Sequence, residues 1–356
     1  MRLVHSEVLA GLAANPALPR ALLARFVADA DEELSAELAR RTDLTADQER
    51  VLAGRASAED PAAMLVDPDP LVRVRLACWP AIGAAAVEVL ARDPDIDVLT
   101  SAATCQPLSG ALVDELMRDE RPEVRKALAR NHHLPASVLA VLAEDSDEAT
   151  HIALAENPRA PVEVLLPWLG HTGVHVRWAL ARRTDLPVDA YERLAEDPLP
   201  GAQWDVAANP ALADTERGRA LVARLALSED RWLLQRLVHN PGIELGALER
   251  LVPNVRVGPV LLPRIARATS AELRVLAASS APQVRALLAY RPDLPADLVV
   301  PLLKGAKLKV RRALAAQRNL PVESIVDFLG GSDARAARAA AANPSLPVAE
   351  MERLLS

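Results

Sequence analysis

The chain has 356 residues, 51% apolar but only 3% aromatic, and its 41 basic and 48 acidic side chains leave a formal net charge of −7. That balance supplies a core for Ala- and Leu-rich helices, disfavours a β-rich fold because strands prefer branched and aromatic residues, and is too acidic for strong nonspecific nucleic-acid binding. Two cysteines, Cys78 and Cys105, exclude a disulfide framework or a cysteine-ligated cluster, and no stretch approaches the ~20 apolar residues of a membrane span, so the chain is expected to be soluble, reduced and cytoplasmic, with no membrane contact.

A block of the form L-A-x-N-P-x-L-P recurs along the chain. In order it reads LAANPALP from Leu12, LARRTDLT from Leu38, LACWPAIG from Leu76, AATCQPLS from Ala102, LARNHHLP from Leu128 and LAENPRAP from Leu154. It continues as LARRTDLP from Leu180, VAANPALA from Val206, LVHNPGIE from Leu237, LAYRPDLP from Leu288, LAAQRNLP from Leu314 and AAANPSLP from Ala340. The step is 26 residues throughout Leu76 to Val206, and again from Leu288 to Ala340. Repetition at this period marks a stacked-repeat architecture. The longer step between Leu38 and Leu76 predicts an insertion near 52–65, and the stretch near 253–275 fits one degenerate repeat.

Each copy carries its own helix signals. Asp69, Asp95, Asp147, Asp230 and Asp333 share one column, and Pro70, Pro122, Pro200 and Pro282 occupy the next; Asp at the N-cap and Pro at the first helical position start a helix. The VRxALAx run then places apolar residues at helical spacing. Asn-Pro is expected to end the helix, Asn through a left-handed cap and Pro by being unable to continue. A second proline (Pro19, Pro135, Pro161, Pro187, Pro295, Pro321, Pro347) opens a second short helix. Two such helices cannot bury their apolar faces alone, so neighbouring repeats must supply the core. The expected fold is all-α: one continuous α-solenoid over residues 1–356, made of about thirteen two-helix repeats.

The pattern DPDxxVRxALAxNPxLPxxxLxxLA resembles the leucine-rich repeat variant family, from about Leu12 to the C-terminus. The resemblance implies a right-handed superhelix of alternating α and 3-10 helices and is silent about activity. The copies here are slightly longer than that family's repeat, which leaves room for a full second α-helix. It also shades toward HEAT-like solenoids, which share the Asp…Val-Arg pattern.

Columns repeated in every copy serve folding; columns that vary can serve recognition. Asp67, Asp93, Asp119, Asp145 and Asp197 precede Arg73, Arg125, Arg177, Arg285 and Arg311 at fixed spacing, but Ser279, Gly305 and Gly331 stand where the Asp is missing. An arginine stripe for phosphates is one reading; a ladder of Asp–Arg bonds between repeats fits the fixed pairing better. The next position varies freely and includes Trp178, Trp204, Arg312 and Arg338, with Arg130, Arg182 and Tyr290 one turn further along. Exposed Trp and Arg are residues that interface hot spots use, and these seven are the candidate partner-binding residues. His171 and His175, with His151 one repeat earlier, have the i, i+4 spacing of zinc ligands, but His151 and His171 fall in the Arg and Asp columns, so no metal is expected.

No nucleophile elbow, P-loop or dinucleotide fingerprint occurs, and neither catalysis nor a cofactor or small-molecule substrate is expected. Charge is uneven: residues 1–160 carry −11, residues 161–278 are neutral, and residues 279–340 carry +5, with the run KGAKLKVRR. The leading expectation is a non-enzymatic scaffold for a protein or peptide partner. The alternative is a nucleic-acid-binding solenoid that uses Trp178, Trp204, Arg182 and the basic C-terminal repeats. By analogy with HEAT-like DNA glycosylases it extends to a base-acting enzyme, with Asp205 beside Trp204 as its carboxylate.

Overall fold

The computed structural model describes residues 2–29, 34, 37, 38, 40–45, 48, 60–80 and 82–355. The chain divides into two compact units: Ala58–Ile243, and Met1–Ser57 together with Glu244–Ser356. Among the described residues every regular element is a helix. The expected insertion near 52–65 lies outside the described residues as far as Glu59, and its end forms helix Pro61–Leu65.

In the unit Ala58–Ile243, the first helices of the repeats pack each on the next: Pro70–Ala77, Ile96–Cys105, Pro122–Arg130, Glu148–Glu156, Val174–Arg182, Pro200–Ala208 and Arg231–Leu237. This neighbour-to-neighbour packing is that of an α-solenoid. The caps act as the sequence predicts. Asp69, Asp95, Asp147 and Asp230 accept hydrogen bonds from first-turn amides of their helices, and Pro70, Pro122 and Pro200 sit at helix starts. Second helices such as Ala136–Leu142 and Val188–Leu194 are short α-helices behind an N-cap proline. A 3-10 segment, Leu166–Gly170, replaces part of one of them. The core is of small and medium side chains, with Leu128, Ala129, Leu154, Ala155, Leu180 and Ala181 all inaccessible.

The asparagine column works differently from its expected role. Asn131, Asn157 and Asn209 are extended rather than left-handed (φ −70°, −82° and −68°). Each reaches back one repeat with its amide. Asn157 Nδ2 donates to the carbonyls of Ala129 and Asn131 at 2.7 and 3.1 Å, and its Oδ1 accepts from the Arg159 amide at 2.9 Å. Asn131, Asn209 and Asn240 do the same at their own repeat boundaries. The helix-terminal carbonyls left without intrahelical partners are thus satisfied from the next repeat. In the RTD copy the arginine substitutes: Arg183 donates to Ala155 O and Asn157 O, and Asp185 holds its other edge at 2.8 and 2.6 Å.

A second ladder joins the Arg and Asp columns, as the fixed spacing predicts. Arg73 pairs with Asp93 at 2.8 Å, Arg125 with Asp145 at 2.5 Å and Arg177 with Asp197 at 2.6 Å, each across one repeat boundary. Each arginine also donates Nη1 to a carbonyl six residues before it: Asp67, Asp119 and His171. The Arg73 guanidinium holds the Asp93 carboxyl below its usual range, against the opposing effect of burial. A carboxyl depressed in the folded state stabilises above its unfolded value of about 3.9 and loses that contribution as pH falls through the folded value. Calorimetry should therefore find a melting temperature for this unit that is level between about pH 5 and 7 and drops below about pH 4. D93N should melt lower at neutral pH and show a shallower acid limb; an unchanged acid limb would remove this rung from the account.

In the other unit the asparagine-type ladder runs in an order that the chain direction does not suggest. Arg291 donates to Ile265 O and Ala268 O, Gln317 to Ala289 O and Arg291 O, and Asn343 to Ala315 O and Gln317 O. The next rung is Asn15, which donates to Ala341 O at 2.9 Å and Asn343 O at 2.8 Å, and Arg41 follows on Ala13 O and Asn15 O. Helix Arg2–Ala13 packs on helix Ala334–Ala341. The expected degenerate repeat near 253–275 contains a 3-10 turn, Val252–Asn254, then irregular backbone to helix Pro263–Ala266. Helix Ser270–Ala277 follows, started by a Thr269–Glu272 capping box.

Candidate functional site

The variable column lies along the first helices of the repeats, where the two ladders hold the backbone. Trp178 on helix Val174–Arg182 is half-buried and leans forward on the next repeat. A Cβ added to Gly201 would lie 2.2 Å from its Cε2 atom, so this glycine is there for close approach. The Trp178 Nε1 is buried without a hydrogen-bond partner.

Trp204, on helix Pro200–Ala208, leans forward in the same way but meets an indole instead of a glycine. Its ring centroid lies 6.4 Å from that of Trp232, with the planes tilted by 43°. Its Nε1 donates to Asp230 Oδ2 at 2.8 Å, and this bond holds the Asp230 carboxyl below the usual range. Asp230 is also the N-cap of helix Arg231–Leu237, so one carboxylate fixes both the Trp204 ring and the helix that carries Trp232. Trp232 is 63% exposed. Beside this pair Asp205 receives Arg236 Nη2 at 2.5 Å and lies 3.8 Å from Arg182 Nε. The chemistry is that of a rigid aromatic platform with a charged border.

Sequence reasoning passed over Trp232. It occupies the column of Asp97, Glu123, Ala149, His175 and Gly201, where an indole is out of keeping, and that contrast was the available signal. The seven candidate residues do not converge on one place. Trp178, Trp204 and Arg182 share two adjacent repeats of Ala58–Ile243. Arg130 is exposed in the same unit and lines a cavity of about 490 Å³ with Cys105, His132, His133 and Glu156. Tyr290 and Arg312 line a cavity of about 710 Å³ in the other unit, beside residues 255–259. Arg312 is committed to Asp333, its Nε 3.0 and 2.8 Å from the two carboxylate oxygens. Arg338 is held between Glu7 and Glu37, at 2.9 Å from each.

The histidines form a rung of the ladder. His171 Nδ1 accepts from the Gly173 amide at 2.9 Å, which leaves the Nε2–H to donate to His151 Nδ1 at 3.2 Å; His151 Nε2–H donates in turn to Asp145 O at 2.6 Å. His175 points elsewhere, its ring 5.0 Å from that of Trp178. Among the described residues, no group of three or more His, Cys, Asp or Glu side chains is arranged to hold a metal ion, and no helix is long and apolar enough to cross a membrane.

Cys78 and Cys105 sit at the C-terminal ends of the first helices of adjacent repeats, one position out of register, both exposed and with Sγ atoms 3.4 Å apart. Desolvation and then the neighbouring thiol push the Cys105 thiol up to about 11, so it is protonated at neutral pH. Treatment with diamide should join the pair, the two thiol hydrogens passing to the reagent as it becomes a hydrazine. Closing a loop of this length stabilises by about 3 kcal/mol. Intact-mass analysis and the melting temperature check this, and C105S should respond to neither readout.

No protein-family model matches the chain, and no curated protein matches it.

Proposed function

We propose that the chain is a non-enzymatic repeat scaffold of the leucine-rich repeat variant type, a right-handed superhelix of about thirteen repeats, that binds a protein or peptide partner. The observation that carries this reading is the Trp204–Trp232 platform: an indole 63% exposed, seated on a second indole that Asp230 locks in place. Large aromatic side chains held rigidly lose little entropy on binding and dominate interface energetics. An apolar or proline side chain of the partner packs on the exposed indole face, and Arg182 and Arg236 border it.

The nucleic-acid alternative draws less support from the same geometry. The Asp230 carboxylate lies against the Trp204 indole, and the nearby Arg182 and Arg236 are engaged with acids rather than open to phosphates. Asp205 is bonded to Arg236 and lies beside Arg182, so its oxygens are already engaged within the protein. Away from the platform, Arg312 and Arg338 are likewise paired with acids. The experiment is affinity capture from nuclease-treated lysate with wild type and W232A, with oligonucleotide binding measured in parallel. A discrete protein retained by wild type and lost with W232A, about 2 kcal/mol weaker on direct titration, is the expected result. Equal capture by both proteins, or salt-dependent oligonucleotide binding that W232A abolishes, would overturn the reading.

A further inference from the structure

We infer that the repeat containing Arg285 holds a small-molecule site for a carboxylic acid with a short apolar body, separate from the indole platform and independent of its role. The argument starts from the Arg–Asp ladder. In three rungs the arginine uses Nη1 on carbonyls of its own repeat, and offers its Nε edge to the Asp twenty residues ahead: Asp93, Asp145 and Asp197. In two of them Nη2 joins Nε on the second carboxylate oxygen, at 3.0 Å in Asp93 and 3.1 Å in Asp197.

Arg285 keeps the first half of this arrangement and lacks the second. Its Nη1 donates to Ser279 O at 2.5 Å and Ser280 O at 3.1 Å. Twenty residues ahead stands Gly305, which has no side chain to offer, and a Cβ built there would meet nothing within 4 Å. Arg311, whose Asp is also replaced by glycine at Gly331, has its guanidinium 5.4 Å from the centre of the Phe328 ring. Arg285 has no such substitute: among the described residues its Nε and Nη2 carry no hydrogen bond.

A cavity of about 300 Å³ occupies the space that an Asp at 305 would enter. Arg285, Lys304 and Lys307 line it, with no acidic residue, and Leu298, Leu302 and Val310 contribute apolar walls. That volume lies at the lower end of small-ligand sites. The anion is specified by the chain itself, because the same guanidinium edge binds a planar two-oxygen carboxylate in the sister repeats. Bidentate Arg–carboxylate pairing is both directional and strong. The apolar walls then select an acid with an aliphatic body over a bare inorganic anion.

The test titrates the whole chain with hexanoate, following the Arg285 Nε–H signal by NMR. Wild type should bind saturably with a Kd of about 1 mM. G305D puts back the missing carboxylate, which Asp can do because it enters the left-handed region at Gly305 (φ +71°) more readily than most residues. Both G305D and R285Q should weaken binding at least about tenfold, whereas G305A should stay within about twofold, since it shares the backbone strain but brings no acid. G305D leaves the Ser279 and Ser280 bonds in place, so it carries the test if R285Q is destabilised. Hexanamide and inorganic phosphate should not displace hexanoate, and a capped glutamate, which mimics a partner's side chain, should bind more weakly. Unchanged binding by G305D, equal competition by phosphate, preference for capped glutamate or no saturable binding in wild type would each overturn the assignment.

Discussion

N157D is expected to split the unfolding of Ala58–Ile243 into two transitions and to destabilise the affected interface by about 3 kcal/mol or more. The substitution is nearly isosteric, so the effect comes from hydrogen-bond polarity and buried charge rather than from packing. Asn157 is 1% exposed and donates both amide hydrogens to carbonyls of the preceding repeat. An ionised Asp would place a buried negative oxygen against two carbonyl oxygens; a protonated one could donate to only one of them. Leaving a buried polar group unpaired costs about 1–3 kcal/mol each time. In a stacked-repeat protein, stability is close to a sum of repeat and nearest-neighbour interface terms, so weakening one interface uncouples the repeats on either side. Tryptophan fluorescence can resolve this, because Trp79 lies before the break and Trp168, Trp178, Trp204 and Trp232 lie after it. The N157D defect should shrink at acid pH, where the carboxyl recovers one donor. A single unshifted urea transition would mean that the asparagine ladder contributes little.

G11L is expected to detach helix Arg2–Ala13 from helix Ala334–Ala341 and expose the first repeat to proteolysis. A Cβ on Gly11 would lie 2.2 Å from the Arg338 carbonyl oxygen and 2.9 Å from its carbon, and a backbone cannot rotate out of the way. The facing helix reads ARAARAAA, with Ala337, Ala340 and Ala341 inaccessible. Only small residues on both sides allow this approach. Overpacking of a filled contact costs about 1–3 kcal/mol, and separating the helices also breaks the Asn15 bonds to Ala341 O and Asn343 O. R338A removes the Glu7 and Glu37 ion pairs at the same seam but leaves the packing. Because Arg338 is partly exposed, that loss should stay within about 1 kcal/mol. Limited proteolysis with mass analysis should therefore release N-terminal fragments from G11L and not from R338A. Equal resistance would show that the seam tolerates a side chain.

Much of the architecture was legible because its signals are local. The Asp–Pro starts, the apolar spacing and the second prolines act within one turn of the residue that carries them, so the helices formed where the 26-residue period placed them. The Arg–Asp pairing was legible because both columns repeat at one spacing. The Asn column was visible but its role was misassigned. A left-handed cap is a local motif, whereas the real partners of Asn157 are carbonyls 26 and 28 residues earlier.

The candidate site was legible only in part. Trp204 stood out by its column, while Trp232 came from a different column and joined it only when one repeat leaned on the next. The arginines looked available because a sequence does not show which carboxylate will neutralise each one; Arg312 and Arg338 found theirs 21 residues away and more than 300 residues away. By itself the sequence determined the helices, their period and the Arg–Asp rungs between successive repeats, since these depend on short-range sterics and a fixed spacing. Only the tertiary structure decided that the repeat of Asn15 stacks on that of Asn343, that two indoles pair at Trp204 and Trp232, and that Arg285 faces a cavity instead of an acid. Each depends on how a surface left by one repeat is met by another, a property that no single repeat contains.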